Sequence, residues 1–488
     1  MNLSRRTWVL LCLSVLTLLF IFSFFHKAFN GDEAIIGEFA YSLDKFGYVK
    51  AQMFDGMGMG WEKRMYHYHK FFVRLGSWVI HLFGVSLFAL RSVSLLFFLL
   101  FLYFLKKYFR ERRDVFDEND FLICVLILLL NNFLFDYSFL FRPEMMIMSL
   151  GFISFYLLQK GLKENWYAPV YISAVLAGLC AFTHLNGLIF IFAGAVLLLF
   201  QRRYSVSLAY GAIGGLVALL YFSDLRTTAE FQAFLHQFTN DPNLSKADFK
   251  LYSPLLKIFD DHRRFFHSPK EISFSVLFLL SLILCFRSLQ SEHRPMTIYL
   301  FALIIGLAAI SHGPIPYYAL LYYPYMALAI VIGIKSLPLR RKIPRQVFIA
   351  ALAVYGLTNI YYISRLLATA VDVENESEHV SRALPKKNVK VMASEFFFFD
   401  QIQNYRICLP LTYEIVCKNY HRRRFNQEDF FSFAQDNGNE YIIISRRFTS
   451  KDLLNMIGYD ALQPNQKMFG YSVRSKDENY LIFERILH

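Results

Sequence analysis

Charge is scarce in this chain. Only 18% of its 488 residues are Asp, Glu, Lys or Arg, whereas 56% are hydrophobic. That balance argues against one soluble domain and points to a protein that crosses a membrane several times. Cysteine is scarce too, at six, and no spacing among them resembles a zinc site. Cys12, Cys124, Cys180 and Cys285 lie in apolar runs, where a thiol is a packing group. Cys408 and Cys417 lie in the polar C-terminal part; an oxidising compartment would permit a disulfide between them without requiring one. Gly56, Gly58 and Gly60 make a glycine-rich loop, but no Lys-Ser/Thr pair follows, which argues against a phosphate-cradling loop. Internal repeats and low-complexity tracts are missing as well.

What the chain does have is long apolar runs. The first, Thr7 to Phe25, is preceded by Arg5 and Arg6, and no small-x-small cleavage site follows it. It reads as a retained anchor that starts in the cytoplasm. Further spans are expected near Ser86–Leu105, Phe121–Leu140, Pro143–Leu158, Pro169–Thr183, Leu185–Phe200 and Ser207–Phe222. The last four fall near Ser273–Phe286, Thr297–Ile310, Tyr317–Ile334 and Val347–Ile363, which makes about eleven.

Basic clusters test that topology. Lys106, Lys107, Arg110, Arg112 and Arg113 follow the second span, Lys160 and Lys163 the fourth, and Arg202 and Arg203 the sixth. Arg287 and Arg294 follow the eighth, and Lys335, Arg340, Arg341, Lys342 and Arg345 the tenth. All fall in inside loops if the N-terminus is inside, so the formal charge of +13 reads as positive-inside bias and not as a nucleic-acid surface. Two long internal segments, 26–85 and 224–271, then lie outside, as does a C-terminal part, 371–488. Within the first, Phe71–Phe83 is apolar but too short to span, and is expected to lie along the interface. Residues 1–370 would form the membrane domain.

The C-terminal part reads as a small α/β domain. Val389–Ala393 and Tyr441–Ser445 have the pattern of buried strands, and Gln427–Asp436 and Lys451–Ile457 that of short helices. Phe469–Arg474 and Tyr480–Arg485 read as a hairpin.

Polar residues gather at the outside ends of the spans. Asp32 and Glu33 follow the first; Asp136 and Arg142-Pro143-Glu144 lie between the third and fourth. His184 caps the fifth and sixth, and Ser311-His312-Gly313-Pro314 leads into Tyr317-Tyr318. The first loop adds Glu62, Lys63, Arg64, His67 and His69. Ionisable groups at membrane depth are costly and usually face a cavity, so their convergence suggests an active site or a conduit. Each has a plainer reading. Asp32-Glu33 would suit a helix start capped by Asn30 to Asp32. Arg142 and Glu144 would suit a local ion pair, and Lys63 and Arg64 lipid headgroups. Asp260-Asp261-His262 reads as a solvated loop more than as a metal site.

The arrangement resembles the polyprenyl-phosphate-sugar glycosyltransferases of the protein O-mannosyltransferase and lipid A aminoarabinose transferase type, with their C-type fold. The resemblance rests on Gly31-Asp32-Glu33-Ala34 after the first span, and on a long loop returning through Leu82-Phe83-Gly84 to Arg91. Arg142-Pro143-Glu144, the stretch Gly178-Leu179 to Thr183-His184, and Tyr317-Tyr318 to Pro324 are similar to family elements too. It covers about the first 365 residues. One departure stands out. Many members have Pro-Pro-Leu before the interfacial helix, where this chain reads Tyr66-His67-Tyr68-His69-Lys70.

The resemblance implies a sugar donor on polyprenyl phosphate, such as undecaprenyl phosphate, and an acceptor hydroxyl on a glycan, lipid or protein. Asp32 would accept the hydroxyl proton, with Glu33 beside it, and the anomeric carbon would invert. Arg142, with Lys63 and Arg64 behind it, would hold the leaving phosphate. Glu144, Asp136, His184, His312, Tyr317 and Tyr318 would bind substrate. Family members differ over a divalent metal, and neither that nor any other cofactor follows from these residues. A bacterial inner membrane, with the site facing the periplasm, is the expected setting. A transporter or lipid flippase is the rival reading, although such proteins often carry inverted repeats and this chain has none detectable.

Overall fold

Neither glycine nor proline interrupts 5–26 or 87–111, so each apolar run closes its own backbone hydrogen bonds as one continuous helix. Other helices begin where proline occupies an early position, as at Pro143 and Pro269. The computed structural model of the protein describes residues 5–241, 253–311, 313–337, 342–369, 371–421, 424 and 426–486.

The chain runs α1 (Arg5–His26), α2 (Gly31–Phe46), α3 (Lys70–Phe83), α4 (Leu87–Glu111), α5 (Glu118–Leu130), α6 (Asn132–Tyr137) and α7 (Pro143–Glu164). Next come α8 (Tyr167–Thr183), α9 (Leu188–Phe200), α10 (Tyr204–Ala218), α11 (Thr228–Thr239), α12 (Ser253–Asp260) and α13 (His262–Phe265). The membrane part ends with α14 (Pro269–Ser291), α15 (Arg294–Ile310), α16 (Tyr323–Ser336) and α17 (Lys342–Ala368). Among the described residues, seven helical stretches are long and apolar enough to cross a membrane.

All eleven expected segments are helical, but four fall short of that length. Tyr167–Thr183, Leu185–Phe200 and Arg294–Ile310 are apolar but shorter. The third differs in kind. The sequence predicts a continuous span over Phe121–Leu140, whereas helix α5 stops at Leu130. The Asn131 side chain accepts the Leu134 amide at 3.0 Å and starts the separate six-residue helix α6. An asparagine at such a position favours a cap over helix continuation. After this break the chain reaches Arg142, whose side chain pairs with Asp32 of α2.

Packing is tight where small residues allow it. A Cβ on Gly178 would meet the Gly214 carbonyl of α10 at 2.6 Å. Helix α16 is buried almost throughout and forms the middle of the bundle, whereas α1 lies at its rim with Trp8, Val15 and Leu18 uncovered. Helix α3 covers the Phe71–Phe83 segment and leaves Trp78, Leu82 and Phe83 uncovered.

The C-terminal part contains α18 (Val373–Arg382), α19 (Pro410–Ile415), α20 (Gln427–Asp436) and α21 (Lys451–Ile457) around one sheet. Its strands are β1 (Lys390–Ala393), β2 (Arg406–Cys408), β3 (Tyr441–Ser445), β4 (Lys467–Met468), β5 (Tyr471–Lys476) and β6 (Tyr480–Arg485), in the order β2-β1-β3-β6-β5-β4. The β1 strand is parallel to β2 and β3, and the other pairs are antiparallel. Both Cys408 and Cys417 are buried, free thiols.

This part sits on α2 and on the loop that joins α2 to α3. The Leu409 amide and the Thr412 hydroxyl both donate to the Met53 carbonyl at 2.9 Å, and Lys390 pairs with Asp55 at 2.5 Å. The run Phe396 to Phe399 is fully buried. The Phe398 ring lies against Gly37 of α2, where a Cβ would come within 2.9 Å.

Candidate active site

The site begins with a helix start. Asn30 caps α2: its side chain accepts the Asp32 amide at 3.0 Å, and the Glu33 carboxylate accepts the Asn30 amide at 2.9 Å. This reciprocal box fixes the first turn, and the positive end of the helix favours both acids. The plainer reading of Asn30 to Asp32 therefore holds. The cap also sends the two carboxylates in different directions.

Asp32 faces outward. Its side chain is 48% exposed and pairs with Arg142, whose side chain is 7% exposed. Arg142 also forms a two-pronged pair with Glu144, Nε to Oε2 at 3.1 Å and Nη2 to Oε1 at 2.9 Å. Its guanidinium stacks over the Tyr317 ring at 4.4 Å. A planar cation held by a buried carboxylate and an aromatic face is fixed in position, with one edge left for Asp32.

Glu33 faces inward and is fully buried. Arg91 donates to both its oxygens at 2.9 Å, and the Phe141 amide donates to Oε1 at 3.1 Å. Arg91 also donates to the carbonyls of Phe24, Lys27 and Ala28 at 3.2 to 3.4 Å. Burial opposes ionisation of Glu33, but the Arg91 charge and hydrogen bonds outweigh it and hold the carboxyl below its usual range. The expectation that Glu33 shares the cavity with Asp32 is corrected here, because Glu33 ties α1, α2 and the 141–142 backbone together behind it.

A cavity of about 350 Å³ opens in front of Asp32. Asp32, Arg142, His184, Tyr317 and Tyr318, all sequence candidates, line it. Its apolar wall includes Ile35, Ile36 and Phe39, one face of α2, and its far side includes His67, Tyr68 and His69. The His69 ring stacks on His184 with centroids 5.0 Å apart, and burial lowers its pKa. The turn before Tyr317 is pinned by the buried Arg264, which donates to the carbonyls of Gly313 and Ile315 at 3.2 and 2.8 Å.

Other candidates lie off this wall. Glu144 is behind Arg142, and Asp136 pairs with the buried Lys27. Arg64 pairs with Glu230 of α11 at 2.8 Å, and neither it nor Lys63 lines the cavity. His312 lies outside the described residues. The reading of Asp260-Asp261-His262 as a solvated loop is corrected at Asp261, which is buried and pairs with Arg264 at 2.8 Å. Among the described residues no group of three or more His, Cys, Asp or Glu is placed to hold a metal ion. Sequence reasoning missed Arg264 and the Ile35-Ile36-Phe39 face; the i, i+1, i+4 apolar spacing after Asp32 was the available signal for the latter.

The family model for dolichyl-phosphate-mannose-protein mannosyltransferase matches residues 70–225. No curated protein sequence matches the chain. Among solved structures, ArnT from Cupriavidus metallidurans in its apo state is similar over 98% of this chain and 97% of that one, with a TM-score of 0.61 and 12% identity. The same protein bound to undecaprenyl phosphate gives a TM-score of 0.61 and 12% identity, covering 98% of each chain. The Archaeoglobus fulgidus oligosaccharyltransferase tethered to an acceptor peptide has a TM-score of 0.50 and 11% identity, over 90% of this chain and 69% of that one. The chain thus has the C-type glycosyltransferase fold, with the mannosyltransferase family match running through α3 to α10 and just beyond.

Proposed function

We propose that this protein is an integral-membrane glycosyltransferase that moves a sugar from a polyprenyl-phosphate donor to an acceptor hydroxyl on the non-cytoplasmic face. The supporting observation is the Asp32–Arg142 pair in the wall of a cavity lined by α2 and the 310–318 and 184–188 segments. In the ligand-free protein each neutralises the other. A donor phosphate is the stronger partner for a guanidinium already aligned by Glu144. Its arrival would draw Arg142 towards the leaving group and free the Asp32 carboxylate. Asp32 would then take the proton of the acceptor hydroxyl as that oxygen attacks the anomeric carbon. Departure of the lipid phosphate from the opposite face inverts that carbon, and Arg142 stabilises the charge developing on the phosphate.

The likeness to a protein solved with undecaprenyl phosphate supports a polyprenyl phosphate as the donor lipid. The basic inside loops support a periplasmic or exterior site, in a bacterial inner membrane. The test is to incubate membranes containing the protein with radiolabelled undecaprenyl-phosphate sugars. Label moving to a protein, lipid or glycan supports the reading; label remaining on the lipid for every sugar tried contradicts it.

A further inference from the structure

The reading above gives no work to the hydrogen bonds that join His184 to Tyr318. The Asn186 amide donates to His184 Nδ1 at 3.0 Å, within the short turn Leu185–Gly187. An amide N–H can only donate, so Nδ1 carries a lone pair. The proton of the neutral imidazole is then on Nε2. Nε2 lies 3.1 Å from the Tyr318 hydroxyl. With that tautomer, Nε2–H donates and the hydroxyl oxygen accepts. The hydroxyl's own hydrogen is thereby turned away from the imidazole and, without a ligand, towards the neighbouring Tyr317 hydroxyl, which a ligand oxygen would replace as its acceptor.

Tyr318 and His184 both line the cavity, as do Arg142 and Tyr317. We infer that His184 is a positioning residue, which sets the Tyr318 hydroxyl as a hydrogen-bond donor to a phosphate oxygen of the donor lipid. The inference rests on the proposed transferase reading. It assigns the two residues one shared contribution: His184 acts only through Tyr318. The stacked His69 ring and the Arg264 clamp on the 313–315 turn hold the two partners in register. A hydroxyl with a fixed acceptor bond loses little rotational freedom when it donates to substrate, which is how preorganisation adds affinity.

A double-mutant cycle tests this, with undecaprenyl phosphate as the probe and the full-length protein in nanodiscs. In H184N the shorter amide reaches the position of Nδ1, so it can still accept from Asn186, but it does not reach Tyr318. In H184Q the longer amide reaches the position of Nε2 and restores a donor. We expect Y318F to weaken binding about tenfold, the cost of one well-placed hydrogen bond, and H184N by a smaller factor of about three to five, since the freed hydroxyl can still donate. The double variant should be no weaker than Y318F alone, and H184Q should bind within about twofold of wild type. Losses that multiply in the double variant overturn the inference and leave the transferase reading intact. So does wild-type affinity in H184N beside a loss in Y318F. If wild-type protein does not bind undecaprenyl phosphate, the transferase reading fails and this inference with it. Melting temperature checks each fold, and H184F replaces H184N in the cycle if H184N does not fold.

Discussion

Glu33 and Arg91 meet through two hydrogen bonds of 2.9 Å, and neither side chain is accessible to solvent. The pair joins the start of α2 to the start of α4, and its third bond, from the Phe141 amide, reaches the residue before Arg142. Asp32 thus adjoins Glu33 itself, and Arg142 adjoins the Phe141 amide that Glu33 holds. The sequence places Asp32 and Glu33 side by side, yet the fold uses one at the surface of a cavity and the other as its foundation.

Breaking that foundation strands a buried charge. Glu33→Ala leaves Arg91 unpaired, and Arg91→Ala leaves Glu33 unpaired, each at a cost of about 3–5 kcal/mol. Glu33→Gln keeps the shape and an acceptor for the Phe141 amide, and should lose less. Thermal melting of the three purified variants in one detergent checks the order. Equal melting temperatures across wild type and all three would contradict the assignment.

Glu38, one turn further along α2, predicts a pH dependence. Its carboxyl is buried and accepts the Gln52 and Met53 amides at 2.8 and 3.1 Å, with Lys50 nearby. Burial pushes its pKa up from 4.5 to about 8, although the amides and Lys50 oppose the rise. Below the unfolded value, both folded and unfolded chains hold the proton. Between that value and about pH 8 the unfolded chain releases it and the folded chain keeps it, so stability falls as pH rises through this window. Glu38→Gln removes that fall. Melting curves from pH 5 to 9 should diverge, with the variant relatively more stable at the alkaline end; parallel curves contradict this.

Arg142→Lys keeps a positive charge and loses the planar fork that meets Glu144 and Asp32 together. Transfer should slow by about 10²–10³-fold, in line with removal of a group that stabilises developing negative charge. The fold should tolerate the change better than Arg142→Ala, since Glu144 keeps a cation within reach. Steady-state rates with labelled donor lipid, beside melting temperatures, separate the two effects.

Much of the membrane part was legible because a bilayer admits few backbone solutions. Apolar runs that cross it must become helices. The strands Tyr441–Ser445 and Tyr480–Arg485 were legible as well, since each is a run of apolar, β-branched or aromatic residues. Strands β2 and β4 were not, because three and two residues carry too short a pattern to read. The break at Asn131 was hidden by the apolar residues on both sides of it. The division of labour between Asp32 and Glu33 was hidden for another reason: it depends on Arg91 and Phe141, which are distant in sequence. Asp136 and Arg64 are taken up by Lys27 and Glu230, and composition carries no trace of such pairings.

The most direct measurement is the transfer rate of Asp32→Asn with a labelled undecaprenyl-phosphate sugar that the wild-type protein uses. The amide fills the same space and can still accept a hydrogen bond from Arg142, so melting temperature should stay close to wild type, and undecaprenyl phosphate should bind at least as tightly because its phosphate no longer competes with a carboxylate for Arg142. The rate should fall by about 10²–10⁴-fold or more, the usual cost of losing a general base. A variant that transfers sugar at the wild-type rate would contradict Asp32 as the group that takes the acceptor's proton.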